Sequence, residues 1–430
     1  MKRIKGISAP HFKNTADMIP VELPTPSEVR LPMSMHSGAP AKPVVKAGDS
    51  VKIGQLVGEA DGIVSSPVHA SISGKVKSID EYDVVTGEKA TSVIIESDGM
   101  KEIYEGLAPP AVTNLAEFLD AVRNSGVVGL GGAGYPTAHK LTLKDTVKLD
   151  YILINGAECE PYITSDTRTM IDNAQEVWEG AMLMKEYLNP KNVVICIESN
   201  KPKAIEKLKK LCEGISGMEV HVLPSSYPQG ERKVLVYNVT GRIIPEGGRL
   251  PDVGCVVINC TTVAVFAQYI KTGMPLISRC VTVDGSAVKN RQNVTVPIGT
   301  KIREVFEFCG GLQDDAKKII VGGPMMGKAV PSLDVPVEKI TNALLALSAK
   351  DAEPPVESAC IKCGQCISKC PMNLMPSFIE NAFELKKIDL LKKYKVNMCA
   401  ECSTCAYLCP AKRPLAQVMT LAKNMLWEVR

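Results

Sequence analysis

The sequence predicts a multidomain α/β protein: an all-β N-terminal domain, a Rossmann-like α/β domain, a small β-grasp domain and a helical C-terminal domain. Three observations carry that reading. Pro20, Pro24, Pro26, Pro32, Pro40 and Pro43, followed by short apolar runs punctuated by glycine, exclude long helices and favour strands early in the chain. From about Leu115, strand-like and helix-like stretches alternate, the pattern of a largely parallel sheet flanked by helices. Near the C-terminus two runs of four cysteines bracket apolar residues at helical spacing. A chain of 430 residues has room for several domains, and the changes of pattern put them at 1–105, 106–270, 271–343 and 344–430.

Composition narrows the class. The chain is 45% hydrophobic and 23% charged with a formal net charge of +3, which favours neither nucleic acid nor a strongly anionic membrane surface. The N-terminus has basic residues but no apolar h-region, so no signal peptide is expected. The longest uncharged stretch, Val253–Ile270, contains Asn259, Thr261, Thr262 and Gln268, and reads as a buried strand, a turn and a helix start. Of 15 cysteines, seven lie outside the two runs, scattered and odd in number; they suit free thiols in the cytoplasm rather than a disulfide framework.

Taken in order, the N-terminal domain from Val44 has the layout of a lipoyl-like barrel-sandwich, with Gly48-Asp49 and Gly74 where hairpin turns would fall. Carrier domains of that layout present a lysine at a hairpin tip. The matching stretch here is Pro67-Val68-His69-Ala70-Ser71, so the domain is expected to be structural. The five histidines have no ligand spacing.

The α/β domain opens with an amphipathic helix closed by Gly126, then Gly129-Leu130-Gly131-Gly132-Ala133-Gly134-Tyr135-Pro136-Thr137. Gly129, Gly131 and Gly134 satisfy G-x-G-x-x-G, but only Val127 and Val128 serve as a preceding strand, and Pro136 interrupts the helix start. A loop so rich in glycine can bring backbone N–H groups close to a phosphate or a flat ring, with Lys140 one turn into the following helix. Polar residues then end successive strands: Asn155 to Tyr162, Ser226 to Lys233, and Asn259 with Thr262. Strand ends of this kind converge on a ligand crevice in α/β sheets.

Residues from about 275 to 330 read as the β-grasp domain, and Leu344–Pro355 as a linker. The cysteine runs follow: Cys360, Cys363, Cys366, Cys370 and Cys399, Cys402, Cys405, Cys409, each ending in proline. This is the spacing of two [4Fe–4S] clusters in which the fourth cysteine of each run ligates the other cluster. Cys360, Cys363, Cys366 and Cys409 are thus assigned to a first cluster, and Cys399, Cys402, Cys405 and Cys370 to a second. Zinc sites held by four cysteines draw two separated pairs, which neither run provides. Between the runs, Pro376–Tyr394 has the spacing of one amphipathic helix, and Pro414–Leu426 repeats the habit.

The motifs at 129–137 and Asn155-Gly156-Ala157-Glu158-Cys159-Glu160-Pro161 resemble the flavin site of the flavoprotein subunit of respiratory complex I. Further matches are His36-Ser37-Gly38-Ala39-Pro40, Tyr227-Pro228-Gln229-Gly230, Gly322-Gly323-Pro324-Met325-Met326-Gly327 and the paired clusters. With them the chain is similar, over nearly its whole length, to the RnfC family of the Rnf electron-transport complex. That resemblance implies FMN, NAD(H) as substrate, an SLBB-type β-grasp domain, and one-electron transfer to membrane-embedded and ferredoxin-like partner subunits at the cytoplasmic membrane face. It carries Gly129, Gly131, Gly132, Lys140, Asn155, Glu158, Tyr227, Gly230, Asn259 and Thr262 to FMN, and Tyr135 and Glu160 to the nicotinamide nucleotide. After Gly230 the related flavoproteins carry two acids or Gly-Glu, whereas this chain has Glu231-Arg232, which changes the charge beside the nucleotide. No nucleophile or acid–base residue is required, because hydride transfer needs donor and acceptor held at roughly 3–3.5 Å. Two other readings remain: an NADH-dependent corrinoid reductase sharing flavin and clusters, and a binding scaffold with structural clusters.

Overall fold

The computed structural model describes residues 5–144 and 146–428, so the extreme ends of the first and last predicted domains lie outside it. Among the described residues no helix precedes Leu115, as the prolines require. The N-terminal segment does not begin in the barrel, however. Its strand β1 (Val21–Glu22) pairs in parallel with residues 294–295 of the β-grasp sheet.

The barrel-sandwich consists of β2 (Glu28–Pro32), β3 (Lys42–Pro43), β4 (Ser50–Val51), β5 (Leu56–Glu59), β6 (Val68–His69), β7 (Gly74–Asp83) and β8 (Lys89–Ser97). They form two sheets, ordered β2-β8-β7-β4 and β3-β5-β6. Gly48 lies in a turn, but Gly74 opens β7 instead of turning the chain. A Cβ there would run into the Glu96 carbonyl oxygen, so close strand pairing explains the glycine. The Pro67–Ser71 tip is buried. Lys339 seals it: its ammonium donates to the carbonyls of Pro67 (2.5 Å) and Gly126 (2.7 Å) and to Ser66 Oγ (3.2 Å). A tip enclosed between three domains cannot swing as a carrier arm.

The α/β domain runs α1 (Leu115–Asn124), α2 (Thr137–Leu141), β9 (Tyr151–Gly156), α3 (Ser165–Asp172), α4 (Ala174–Leu188), β10 (Asn192–Glu198), α5 (Pro202–Cys212), β11 (Met218–Leu223), α6 (Arg232–Thr240), β12 (Cys255–Asn259) and α7 (Cys260–Thr272). All four strands are parallel, in the order β11-β10-β9-β12. The order reverses between β9 and β12, and the crevice beyond their C-terminal ends is where ligands bind in such sheets. No turn separates β12 from α7: Asn259 ends the strand and caps the helix, its Oδ1 accepting from Thr262 N at 3.1 Å. The barrel-sandwich and one face of this sheet share a continuous apolar core, from Val29 and Leu31 through Phe118 to Ile154 and Phe266.

The β-grasp unit contains β13 (Ser278–Asp284), β14 (Gln292–Pro297), α8 (Ile302–Phe308), β15 (Ala316–Val321), β16 (Lys328–Val330) and β17 (Ala343–Ser348), followed by α9 (Ala349–Ala352). Its six strands are ordered β1-β14-β13-β17-β15-β16. The predicted linker at Leu344–Pro355 is therefore corrected: β17 is a central strand, parallel to β13 and antiparallel to β15. Ala343 to Ala346 are buried on both faces, so the run lacks the alternation that marks a half-exposed strand. The boundary moves from residue 343 to the end of α9, and the linker begins at Glu353.

The C-terminal domain is helical, as expected: α10 (Gln365–Ser368), α11 (Pro376–Glu384), α12 (Ile388–Lys393), α13 (Thr404–Tyr407) and α14 (Leu415–Glu428). The single helix predicted over 376–394 breaks into α11 and α12, because Lys386 turns left-handed at φ 52°. Ile379, Leu391, Val396, Met419 and Ala422 still share one core, which is why the spacing looked continuous.

Candidate functional site

A cleft of about 610 Å³ opens where the β9 and β12 ends meet the β-grasp and cluster domains, within the size range of cofactor pockets. Of the residues assigned to flavin and nucleotide, Gly129, Gly131, Gly132, Lys140, Asn155, Glu158, Glu160, Tyr227, Gly230 and Asn259 line it. Thr262 and Tyr135 do not. Thr262 is fully buried behind the glycine loop, accepting from Leu130 N (2.9 Å) and donating to Val128 O (3.1 Å). Tyr135 turns away against His139, with ring centroids 5.7 Å apart.

The glycine loop forms a cradle. Gly132 sits at φ 105°, and a Cβ built there meets nothing within 4 Å, so the loop presents bare backbone to open space. At Gly131 a Cβ would stand 3.2 Å from Asn259 Nδ2, which itself donates to Asp166 Oδ2 at 2.7 Å. Asn155 Nδ2 donates to Gly230 O at 2.9 Å, joining two strand-end loops. Lys140 supplies the positive charge, and burial followed by the Arg232 guanidinium lowers its pKa to about 8. A bare-backbone wall with a cation beside it fits a flat ring bearing a phosphate.

The carboxylates divide their roles. Glu158 is turned inward at φ 47° and caps α3, accepting from Asp166 N (2.6 Å), Thr167 N (3.2 Å) and the Thr167 hydroxyl. Lys13 reaches the same loop from outside, donating to the carbonyls of Glu158 (2.8 Å), Glu160 (2.8 Å) and Ile163 (2.6 Å). Lys201 grips it from the other side through Ala157 O at 2.7 Å. Among the described carboxylates that line the cleft, Glu160 is the one with a buried oxygen, Oε1, that has no hydrogen-bond partner. Its Oε2 accepts from Met325 N at 3.1 Å, and burial raises its pKa to about 7. The Gly322–Gly327 turn therefore lies over this carboxylate, and a Cβ on Gly323 would collide with it. That glycine pair was legible as a motif, but not its contact across domains.

Tyr227 spans the cleft and the cluster domain. It is 2% exposed, and its hydroxyl donates to Cys402 O at 2.8 Å. Burial, then the neighbouring Glu160 carboxylate, push its phenol pKa well up, so it remains a neutral donor. Asn397, Cys399, Ala400 and Glu401 complete the wall on that side; Arg232 and Lys233 add the charge expected after Gly230, and Lys328 and Lys423 add cations that no sequence motif marked.

Beyond Tyr227, Cys370, Cys399, Cys402 and Cys405 surround one small apolar cavity with Met372, Leu374 and Met419. One thiol thus comes from the first run and three from the second, the crossed set predicted from spacing. Burial raises all four thiol pKa values, Cys399 to about 12, and neighbouring thiols raise those of Cys370, Cys399 and Cys405 further. Such thiols ionise together only with cations such as irons between them, which deprotonate the thiols that coordinate them. Among the described residues no three His, Cys, Asp or Glu side chains converge as they would on a single ion. The two runs wind alike: Lys362 and Glu401, Gly364 and Ser403, and Asn373 and Lys412 are all left-handed at matching places. Cys360 and Cys363 are exposed, Cys409 is half-buried and Cys366 is buried.

The comparisons agree with this layout. Residues 122–268 match the Nuo51 FMN-binding domain, 1–100 the RnfC barrel sandwich hybrid domain, 280–329 the SLBB domain and 356–413 the 4Fe-4S dicluster domain. The chain is an iron–sulfur flavoprotein, with FMN and two [4Fe–4S] clusters as its cofactors. It is 42% identical over 84% of its length to the C component of the proton-translocating ferredoxin:NAD(+) oxidoreductase complex of Clostridium ljungdahlii, covering 79% of that protein. It is 41% identical over 86% of its length to the Na(+)-translocating counterpart of Acetobacterium woodii, covering 85% of it. To the C component of the ion-translocating oxidoreductase complex of Rhodobacter capsulatus it is 36% identical over 98%, covering 83%. The chain belongs to the RnfC family. An NAD+-reducing [NiFe]-hydrogenase structure shares the fold at TM-score 0.51 and 16% identity, over 73% of this chain and 61% of that one.

Proposed function

We propose that this chain is the NAD(H)-linked electron-transfer subunit of an ion-translocating ferredoxin:NAD+ oxidoreductase complex. The observation that carries the reading is one cleft walled on one side by the glycine loop and Glu160, and on the other by Cys399 to Glu401 of the second cluster loop. When bound there, FMN supplies the exchange between a two-electron hydride and single electrons. The bare backbone at Gly129, Gly131 and Gly132 and the Lys140 ammonium hold that group, with Asn155, Gly230, Asn259 and the Glu158 backbone shaping the wall and Thr262 bracing it from behind. Glu160, whose Oε1 has no hydrogen-bond partner, faces the nucleotide, whereas Tyr135, packed on His139 outside the cleft lining, is left without a nucleotide contact.

Cys370, Cys399, Cys402 and Cys405 would hold the second cluster beside the cleft, and the first cluster would lie toward the outer surface, where Cys360 and Cys363 are exposed; the pair would supply one-electron transfer away from the cleft. Among the described residues no helix is long and apolar enough to cross a membrane. In this reading the partners that receive electrons are the membrane-embedded and ferredoxin-like subunits, at the cytoplasmic membrane face. A corrinoid reductase would share flavin and clusters, but the similar proteins carry the other name. The test is cofactor analysis of anaerobically purified protein with an NADH reduction spectrum. FMN, two clusters and bleaching by NADH are expected; a fully loaded protein inert to NADH and NADPH would overturn the reading.

A further inference from the structure

The segment from Lys5 to Met18 precedes the first strand of the chain, yet it holds the loops between the cleft and the second cluster. Ile7 and Tyr227 exchange two backbone hydrogen bonds of 2.8 Å each, an isolated antiparallel bridge. A Cβ on Gly6 would stand 2.5 Å from Tyr227 O, so glycine is what lets the two backbones meet. Ile7, Ala9, Tyr227 and Cys402 are buried in one apolar cluster, with Cys159, Met325 and Leu408 packed against it. Farther along the same segment, Lys13 grips the loop that carries Glu160. The side chain that bridges to the cluster, Tyr227, is thus fixed at its backbone by the strap and at its hydroxyl by Cys402 O, 2.8 Å away.

We propose that this N-terminal strap is a positioning element for electron transfer, acting through Tyr227 to hold the Cys402 loop at a fixed separation from the cleft. The proposal rests on the electron-transfer reading above. Of a hydride's two electrons, each must cross this junction singly, one cluster reduction at a time, while the proton goes to solvent. Transfer between centres falls steeply with separation, so a loop held loosely spends time at longer, slower distances. A strap that anchored only the fold would leave the crossing rate untouched.

The experiment compares loaded wild type with Gly6→Val, which forces a branched side chain into the Ile7–Tyr227 bridge, and with Tyr227→Phe, which keeps the ring but removes the hydroxyl that holds Cys402 O and neighbours Glu160. Anaerobic stopped-flow mixing with NADH follows flavin and cluster bleaching separately, and hydrogen exchange follows the amides of Cys402 to Cys405. In Gly6→Val, flavin bleaching keeps its wild-type rate while cluster bleaching lags several-fold. In both variants exchange at the Cys402 loop rises about fivefold, as one lost hydrogen bond implies. Cluster bleaching in step with flavin and wild-type exchange in both variants would overturn the proposal. A wild type inert to NADH would indict the electron-transfer reading instead, and the exchange arm, which needs no NADH, would still test the strap.

Discussion

The two cysteine runs share one spacing and one backbone winding, yet the structure gives them different surroundings. Cys370, Cys399, Cys402 and Cys405 enclose an apolar cavity next to the flavin cleft, and Cys399 lines both. Cys360 and Cys363 sit on a stretch, 353–363, that is exposed throughout, with Val356 91% and Ile361 65% exposed. Spacing decides which thiols can reach one cube. Packing decides which cube faces the electron source and which faces outward. Motif and role are separable, and only the first is local in sequence.

The largest effect is expected at the thiol that joins the two runs. Cys370→Ser removes one thiol from the set around the inner cavity, and should abolish the second cluster while sparing the first. Cys363→Ser should do the reverse. Anaerobic EPR of the two variants reads this directly, and loss of the same cluster in both would break the crossed assignment. Electron flow from NADH to an external one-electron acceptor through the clusters should cease in Cys370→Ser, because the inner station is gone.

Next comes the cradle itself. Gly132 is left-handed, and a valine there would add backbone strain of about 1–3 kcal/mol and fill open space on the cleft wall. Gly132→Val should purify with both clusters and little FMN, as flavin fluorescence after acid release against iron content will report. Full flavin occupancy would move the site off the glycine loop.

Much of this arrangement is legible in the sequence, and what is not has identifiable causes. The cysteine spacing, the glycine loop and the strand ends at Asn155 and Asn259 are local patterns, and they converge as local rules require. The central strand β17 escaped because Ala343–Ala346 is apolar on both faces and carries no period. Thr262 and Glu158 were recognisable as site residues by motif, but their side chains are committed to the loop behind the cleft and to the α3 N-terminus. Nothing near Ile7 or Lys13 announces that they fold back onto Tyr227 and the Glu160 loop. Such contacts join residues more than a hundred positions apart, and only the packed chain reveals them.

A smaller effect is expected from the nucleotide side. Glu160 is nearly enclosed, and burial holds its pKa near 7, above the ordinary carboxylate value of 4.5. Its folded form therefore binds more protons than the unfolded chain between those values, so its charge costs stability as pH rises toward 7. Glu160→Gln should flatten that dependence in thermal unfolding across pH 5 to 7.5, which brackets the shift. It should also lower kcat/KM for NADH about tenfold with FMN retained, the loss expected of one charge-assisted hydrogen bond. An unchanged kcat/KM would take the nucleotide off this carboxylate.

The smallest effect should arise at the outer cluster, where the comparison can be tested without touching a thiol. The exposed stretch that carries Cys360 and Cys363 is tied down through Glu357, which pairs with the Arg413 guanidinium. That same arginine donates to Glu380 Oε1 at 2.8 Å and Glu384 Oε1 at 2.7 Å on α11, while Ser358 N donates to Ala411 O at 3.0 Å. Glu357 and Glu384 are 45% and 55% exposed, so each pair contributes at most about 1 kcal/mol. Glu380 is 5% exposed at its side chain and is the partner left worst served when the guanidinium goes. Arg413→Gln should leave both clusters assembled but hasten loss of the first cluster on exposure to air by a few-fold, with the second unaffected, as the two EPR signals followed in parallel will report. Equal lability of both would mean that the difference in surroundings does not reach the clusters, and the contrast between an inner and an outer station would have to rest on distance alone.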